Sequence, residues 1–482
     1  MNIKRGKDAV RIKHIKVGAL ALIGIMVCSV GCQMTPKEDI VVNKNEAKQL
    51  QTASDKESAL SNQFSGENIP ERYKDSFQCL NDDVKVTVNA GISVLSNNGE
   101  FSTIRVRPHQ ITENEVKKWA DVLFEGQIAY EPKTQYTKSE LEEKILMLKK
   151  ANDKDTLMEE YGSEAAAETM QAEYNEAIAY YESIYNSTPN EIEKKECDWS
   201  FHSRDYYDLD AALWNDSDEY ASIKKTEKIA AVCVDSDGLE RTILANRRSE
   251  EDYIINDIAY AVNSDSQIID AEKIKKINKE DAEKLSSDVL DKLDLSNWTL
   301  WDSYVVSDDN GLLYHFNYSP TYNDVPALMG DKDVELNSED TYAANYNYSS
   351  LMVNILNGRV DSIYLTAPID QVEVVDEKVT TLSFEKVYAS FKNQMQNKYT
   401  VNSFIQFGGE DAKEEHQIEI KVNSIKEGLF RIKEKNTDYS YLLVPTWIFI
   451  GDVIIDENNM GDSTLCYVNA LDGSIIDPKL GY

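Results

Sequence analysis

An internal repeat in the second half of the chain limits its possible folds more than any other feature. The segment Asn354–Gly358 (NILNG) matches Asn469–Gly473 (NALDG) almost position by position, at an offset of 115 residues. Each copy reads as a helix, strands with a Val-Pro pair, another strand, an Asn-Gly or Asp-Gly turn and a last strand. Since these dipeptides tolerate positive φ at both central turn positions, each turn is predicted to reverse the chain tightly between two strands.

The rest of each copy follows from hydrophobic periodicity. The first copy is predicted to have a helix from Asn278 to about Leu293, followed by strands within 298–306, 311–319 and 351–365. The second copy is predicted to have a helix from Ser383, followed by strands within 418–434, 439–449 and 465–478.

The end of the chain resembles known modules. The segment LVPTWIF (443–449) and the hairpin YVNALDGSIID (467–477) are similar to PepSY-like domains and to the extracytoplasmic domains of YycH/YycI-type regulators. Over about residues 275–480, this resemblance implies helices packed on antiparallel sheets. It also implies a non-enzymatic role, the binding or restraining of another exported protein, and it supplies no catalytic residues. The whole chain resembles an uncharacterised clostridial lipoprotein family through VVNKN (41–45) and the closing ALDGSIID, which implies no activity.

The amino terminus predicts export and lipidation. Residues 1–16 hold six Lys/Arg and one Asp, and a 14-residue apolar run, Val17–Val30, follows. This order is typical of a secretory signal peptide. Gly31-Cys32 matches the end of a bacterial lipobox, although Ser29 replaces the usual Leu. We expect cleavage between Gly31 and Cys32, with lipid on the Cys32 thiol. The alternatives are ordinary secretion or an uncleaved anchor, whose apolar run would be shorter than the ~20 residues of a membrane span.

The net charge restricts the partners. It is −34 for the full sequence and becomes −39 once residues 1–31 are removed. A chain this acidic repels phosphate backbones and anionic head groups, so nucleic acid is excluded as a partner. Basic partner proteins and cationic ligands become more plausible. No phosphate-binding glycine motif occurs, and no nucleotide partner is predicted.

The first half is predicted to be an α+β region with a helical insert. Residues 78–107 read as a β-hairpin around Asn97-Asn98-Gly99. Capping boxes begin helices at Thr112 and at Thr137. The Glu-rich stretch 137–187, interrupted at Gly162, is predicted to form two antiparallel helices with a solvated outer face.

The predicted organisation divides the chain into five parts. They are a signal peptide at 1–31, a tether at 32–65, an N-terminal α+β region at 66–270 and PepSY-like repeats at 271–375 and 376–482.

The cysteines leave two interpretations open. Four remain besides Cys32 after cleavage, namely Cys79, Cys197, Cys233 and Cys466. Their wide spacing argues against a metal or redox motif. An exported protein can form up to two disulfides from four cysteines. Buried free thiols in strands explain the sequence equally well.

No catalytic motif is present. No H-E-x-x-H occurs among the five histidines, His14, His109, His202, His315 and His416. There is no G-x-S-x-G motif. Asp and Glu are so abundant that the sequence does not single out a pair of carboxylates like that of a glycosidase. The Asp-rich segments 215–218, 235–238 and 308–311 fit turns better than calcium loops. We predict no catalytic residues, no metal ligands and no cofactor.

Aromatic residues are the remaining candidates for binding. A sugar- or peptide-binding face would use side chains such as Trp301, Tyr342, Tyr346, Tyr348 and Trp447. Ordinary strand faces and a Tyr-rich loop are the alternative interpretation.

Together these features predict an α+β protein of mostly antiparallel sheets, held by lipid at the extracytoplasmic face of the cell membrane. The leading hypothesis is a non-catalytic lipoprotein that binds or regulates an envelope protein. The alternatives are a lipoprotein that captures an oligosaccharide or peptide, and a carboxylate-based envelope hydrolase.

Overall fold

The computed structural model describes residues 69–80, 84–95, 100–203, 226–250, 253–263, 277–308, 311–329, 346–398, 417–434, 437, 440–478 and 480–481. The predicted signal peptide, the tether and the lipidation residues Gly31 and Cys32 lie outside these residues. No helix in the described ranges combines the length and apolar character needed to cross a bilayer.

The described chain is an α+β protein, which confirms the predicted fold class. Its strands are β1 (Arg72–Gln78), β2 (Val84–Val94), β3 (Phe101–Pro108), β4 (Glu227–Val234), β5 (Glu240–Glu250), β6 (Tyr253–Asn263), β7 (Trp298–Asp308), β8 (Gly311–Tyr322), β9 (Val325–Pro326), β10 (Ser350–Leu356), β11 (Arg359–Thr366), β12 (Ile369–Val379), β13 (Ile418–Lys433), β14 (Tyr441–Ile455), β15 (Asn458–Asn469) and β16 (Ile475–Ile476). Its helices are α1 (Glu113–Leu123), α2 (Lys138–Ala151), α3 (Lys154–Tyr161), α4 (Glu164–Ile184), α5 (Lys279–Lys292) and α6 (Phe384–Lys398).

These elements form two compact units, each built from separated stretches of chain. The first unit takes the described parts of Met1–Val106, Asn323–Ala344 and Gln371–Tyr482. The second unit takes those of Arg107–Tyr322 and Asn345–Asp370.

The second unit contains a continuous antiparallel sheet. Its strand order is β4-β5-β6-β11-β10-β8-β7. Helices α1 and α5 supply Trp119, Leu123, Val289 and Leu290 to the same apolar cluster as Phe316 and Val353 of the strands. Because residues alternate between the two faces of a strand, the neighbouring residues of β8 and β10 belong to the opposite face of the sheet. Asn317 and Asn354 on that face are also buried.

Local capping signals set the helix starts of this unit. The Thr112 side chain accepts the backbone N–H of Glu115, and Glu115 reaches back to the backbone of Thr112. The same reciprocal box begins α2 at Thr137 with Glu140. Asn278 caps α5 through the N–H of Asp281. All three helix starts confirm the predictions.

The helical insert differs from the prediction in one respect. Helices α2 and α4 run antiparallel. Lys149 forms an ion pair with Glu182, and Glu142, about two turns earlier on α2, accepts a hydrogen bond from Tyr185, just after the end of α4. The predicted first helix is divided into α2 and α3, since Asp153 caps a new helix through the N–H of Thr156. An Asp cap competes well with helix continuation at that position.

The first unit is a mixed sheet covered by α6. The strand order is β1-β2-β13-β14-β15-β16; β3 pairs with β14 and with β12. The pair β2–β13 is parallel, while β13, β14, β15 and β16 follow one another antiparallel. On α6, Phe391 stacks on Phe449 of β14 with ring centroids 3.9 Å apart, and Met395 is fully buried beside them.

The structure confirms the order of elements in the internal repeat. Helix α5 precedes the antiparallel meander β7-β8-β10-β11, and α6 precedes the meander β13-β14-β15-β16. The order occurs a third time, unanticipated from sequence, where α1 packs against the strands β4 and β5 of the meander β4-β5-β6. The two Val-Pro pairs are not equivalent, since Val325-Pro326 is a separate short strand and Val444-Pro445 lies inside β14.

The two matched turns also differ. Asn357 and Gly358 both have positive φ, +52° and +76°, and join Leu356 directly to Arg359 as predicted. The turn before β16 is longer, with Gly473 at φ +78° and Asp472 not at positive φ. There the Asp472 carboxylate accepts the N–H of Ser474, so a side chain stabilises the reversal.

The predicted hairpin over residues 78–107 is wrong. Strands β2 and β3 form but do not pair with each other: β2 lies between β1 and β13, and β3 lies beside β14 and β12. A turn sequence permits a tight reversal, but the burial of Val84, Val86 and Val88 under α6 decides the partner of β2. The predicted turn at 97–99 lies outside the described residues.

Candidate functional site

The predicted aromatic residues are divided between the two units. Trp447 lies in the core of the first unit with 1% of its surface exposed. Tyr346 is equally buried in the second unit, where its hydroxyl donates to the carbonyl of Pro368. Trp301 and Tyr348 are half-buried residues of the second unit, and Tyr342 lies outside the described residues. A shared ligand face made of these five residues stays a prediction.

A row of three consecutive exposed apolar residues in the second unit lies on strand β7. Tyr304, Val305 and Val306 are 52%, 54% and 45% exposed. Three consecutive large apolar residues at this exposure are unusual for a strand, because one of two alternating faces normally packs on a core. Strand β7 carries this row because it is the last strand of the sheet.

The outer edge of β7 has no strand partner within the described ranges. Its register runs along β8 from Trp298↔Pro320 to Asp308↔Gly311. The other end of the sheet is different, since β4 is bridged by Tyr130 at Val232 and by His202 at Lys228. An exposed edge presents unpaired backbone N–H and C=O groups, and β7 contains no Lys or Pro to obstruct a further strand.

On the face opposite the core cluster, polar side chains of the neighbouring strands make contacts beside this row. The Asn317 amide donates to the Asp302 carboxylate, and the Asn354 amide donates to the hydroxyl of Ser362. His315 stacks on Tyr304, with ring centroids 4.4 Å apart and planes 15° from parallel. These contacts hold the Tyr304 ring against β8 instead of leaving it free in solvent.

Two buried polar atoms of this face lack hydrogen bonds. His315 Nδ1 and Asn354 Oδ1 have no partner among the described residues, and the two residues are paired directly across β8 and β10. A buried polar atom without a partner costs about 1–3 kcal/mol, so this part of the sheet contains polar groups that the described part of the chain does not satisfy.

A second isolated group lies in the first unit. Glu427 of β13 is 3% exposed, and its Oε1 has no hydrogen-bond partner among the described residues. Burial raises the pKa of this carboxyl to about 8. The indole of Trp447 acts in the opposite direction, but its N–H makes no hydrogen bond of good geometry. Glu427 is therefore mostly protonated at neutral pH.

His109 of the second unit is held between two carboxylates. Its Nε2 lies 2.8 Å from Glu115 and its Nδ1 lies 2.8 Å from Asp370. The hydrogen bond and charge of Glu115, reinforced by Asp370, raise the pKa of His109 to about 9 against the effect of burial. Because the carboxylates occupy both ring nitrogens, the imidazolium serves as a structural cation.

Other titratable candidates are isolated. Burial raises the pKa of Asp257 on β6 to about 6, while the Asn246 amide donates to this carboxyl. Asp257 belongs to the second unit and Glu427 to the first. The described residues contain no group of three or more His, Cys, Asp or Glu arranged to hold a metal ion.

The four described cysteines, Cys79, Cys197, Cys233 and Cys466, are free thiols, and the Asp-rich segment 235–238 forms a turn. Burial raises the pKa of Cys79 and Cys233 to about 11 and that of Cys197 to about 12. The Asp235 carboxylate accepts the N–H groups of Asp237 and Leu239, as in a side-chain-stabilised turn.

Neither the exposed row on β7 nor the buried Glu427 was predicted from the sequence. Alternating apolar residues do not reveal which strand lies at a sheet edge, so the exposure of Tyr304 and Val306 was not foreseen. Glu427 was detectable, because it occupies the same strand phase as the buried Ile425 and Leu429.

The comparisons with known proteins add little to this geometry. No family model and no curated protein matches the chain. Among solved structures, it is similar to an uncharacterized protein from Eubacterium rectale at 11% identity and a TM-score of 0.43, covering 91% of this chain and 99% of that one. It is also similar to the YpeB C-terminal domain of Bacillus megaterium at 12% identity and a TM-score of 0.26, covering 52% and 81%. Both TM-scores are below 0.5, and the α+β architecture is evident from the strands and helices of this chain alone.

Proposed function

We propose that this chain is a non-catalytic lipoprotein, tethered at the extracytoplasmic face of the membrane, that binds an envelope protein through strand β7. The observation that carries the proposal is the outer edge of β7, which no other strand of the described residues pairs with and where Tyr304, Val305 and Val306 are exposed. An apolar row on an open sheet edge is typical of a surface that receives another chain.

The tether is supported by the sequence. The basic segment, the short apolar run and Gly31-Cys32 fit a lipoprotein signal, and lipid on Cys32 would hold the acidic body near the membrane. The order of a helix followed by an antiparallel meander, repeated along the chain, supports PepSY-like modules with a binding role. Nucleic acid and nucleotides are not among the proposed partners.

The binding role is tested by crosslinking in the native cell. A photo-crosslinking amino acid placed at Tyr304 is expected to capture one specific envelope protein, identified by mass spectrometry. The matched control is Leu146 of α2, which belongs to the same unit and is 68% exposed. Equal capture at the two positions, or none at Tyr304, would refute the proposed surface.

The tether is tested separately. Cys32→Ser is expected to abolish metabolic labelling with palmitate and to release the protein into the medium. Cys28→Ser is the control, because Cys28 lies within the predicted signal peptide and is expected to leave labelling unchanged. Unlabelled wild-type protein would exclude the lipid anchor but not the binding surface.

A further inference from the structure

The C-terminal part of β7 has a symmetric pattern of charged and apolar residues. Residues 302–308 read D-S-Y-V-V-S-D, with one Asp at each end and no basic residue between them. Asp302, Tyr304 and Val306 occupy one strand phase, opposite Asn317, His315 and Leu313 of β8. Ser303, Val305 and Ser307 occupy the other phase, which β8 continues with Phe316 and Tyr314 of the core cluster. A strand added to this edge would therefore meet apolar residues on both faces.

This pattern disfavours a second copy of the chain as the added strand. Antiparallel self-pairing that brings the apolar residues together is centred on Val305, with Tyr304 opposite Val306. In that register position 302 of one copy faces position 308 of the other, and the sequence has Asp at both positions. Like charges directly opposite in a sheet are destabilising, and acidic residues beside an apolar strand are a known protection against self-association. The net charge of −34 adds repulsion between whole chains.

The same pattern favours a partner of opposite charge. We propose that the outer edge of β7 accepts an extended segment of an envelope protein that carries Lys or Arg at two positions six residues apart, with apolar residues between them. This inference rests on the proposed binding function and names the chemistry of the partner. Backbone pairing along 303–307 supplies affinity, and the two cations opposite positions 302 and 308 supply register and selectivity.

Three synthetic peptides test the recognition without altering the protein. The first is Lys-Thr-Val-Val-Val-Thr-Lys, blocked at both ends. The second has Glu in place of both Lys residues. The third keeps both Lys residues but has N-methylated valines, which remove strand N–H donors. Each peptide is labelled and titrated into the full chain in detergent, with fluorescence anisotropy as the measurement.

We expect the first peptide to bind at least about tenfold more tightly than either of the others, and its affinity to fall with added salt. No binding of the first peptide overturns the inference. If the Glu peptide binds equally well, the proposed recognition of two cations is wrong. If the N-methyl peptide binds equally well, the peptide does not add to the sheet as a strand. A dimer that forms with rising protein concentration and that competes with the peptide would make a second copy the occupant, which also overturns it.

Substitutions in the protein test whether the first peptide binds at β7. Val305→Lys, which sets a cation in the middle of the edge, is expected to abolish binding of the first peptide. The control is Val234→Lys at the end of β4, where the valine is 47% exposed on the opposite edge strand. Neutralising both acids, Asp302→Asn with Asp308→Asn, is expected to remove most of the preference for Lys over Glu peptides. An unchanged preference, or loss at Val234→Lys alone, contradicts the assignment.

The outcome separates the two proposals. Crosslinking at Tyr304 that captures an envelope protein, together with failure of the first peptide, refutes the recognition chemistry and leaves the binding function intact. Failure of both experiments refutes the function as well.

Discussion

Glu427 on β13 lies directly opposite Trp447 on β14, and both side chains are buried in the core beneath helix α6. The carboxyl is held in its neutral form there, since burial raises its pKa from 4.5 to about 8. A buried acid of this kind makes the stability of the fold depend on pH in the unusual direction, falling as the solution becomes more alkaline.

The sign follows from the protons bound in each state. Below pH 4.5 both states keep the proton on Glu427; between 4.5 and about 8 only the folded state keeps it, so the free energy of unfolding falls as pH rises. Glu427→Gln is expected to remove this decline and to stabilise the protein above pH 8, by on the order of 4 kcal/mol. Urea unfolding of both proteins across this pH range measures the difference.

Glu419→Gln is the matched control for that experiment. Glu419 lies on the same strand, where it pairs with Lys421 at 3.1 Å near the surface. Its replacement is expected to leave the alkaline decline in place. If Glu427→Gln declines with pH as the wild type does, Glu427 is ionised in the folded protein.

His109 is cationic when protonated, unlike Glu427, and its contribution to stability changes over a different pH range. The folded pKa of about 9 exceeds the unfolded value of 6.5, so the ion pairs with Glu115 and Asp370 stabilise the fold fully below pH 6.5 and are lost as pH rises through 9. His109→Gln is expected to cost about 2 kcal/mol at pH 6 and almost nothing at pH 10, after allowing for partial solvent screening.

NMR titration of the imidazole provides the direct measurement for His109. His202→Gln is the control, because His202 pairs with the single carboxylate of Asp198 in the same unit. A titration midpoint of His109 near 6.5, or an equal stability cost at both pH values, would contradict the double ion pair.

The tight turn of the first repeat copy predicts a local backbone effect. Gly358 follows Asn357 in a two-residue turn with φ +76°, a conformation that a side chain disfavours. Gly358→Ala is expected to lower the free energy of unfolding by about 1 kcal/mol. Gly91→Ala on β2 is the control, since an added Cβ meets no atom within 4 Å there. Equal effects in thermal unfolding would argue against a strained turn.

Local signals were readable from the sequence, and long-range pairing was not. Thr112, Thr137 and Asn278 each specify a helix start within one turn of chain, so these predictions were correct. Strand β2 pairs with β13, more than 300 residues later, as well as with β1, and no local pattern identifies this distant partner. The third occurrence of a helix followed by a meander was not recognisable in the sequence, because α2–α4 are inserted between α1 and β4.

The candidate surface was only partly predictable for the same reason. The sequence indicated that 298–306 is a strand, and the structure confirms β7. Whether Tyr304 and Val305 are buried depends on which strand ends the sheet, and that is decided by pairing along the whole second unit. Trp447, chosen from sequence for its aromatic ring, lies in the core cluster of the first unit.

The cysteines connect the fold to the predicted anchor in one experiment. Cys79, Cys233 and Cys466 are buried and Cys197 is half-buried, so all four thiols are expected to resist iodoacetamide in the folded protein at neutral pH. The raised pKa values of Cys79, Cys197 and Cys233 keep those thiols protonated and unreactive. In denaturant without a reducing agent, mass spectrometry of protein purified from its native cell is expected to find all four alkylated and Cys32 blocked by lipid. Alkylation of fewer than these four before reduction would mean disulfides, and an alkylated Cys32 would mean that the thiol is not lipidated. Because the two readouts concern different residues, either conclusion stands or fails without the other.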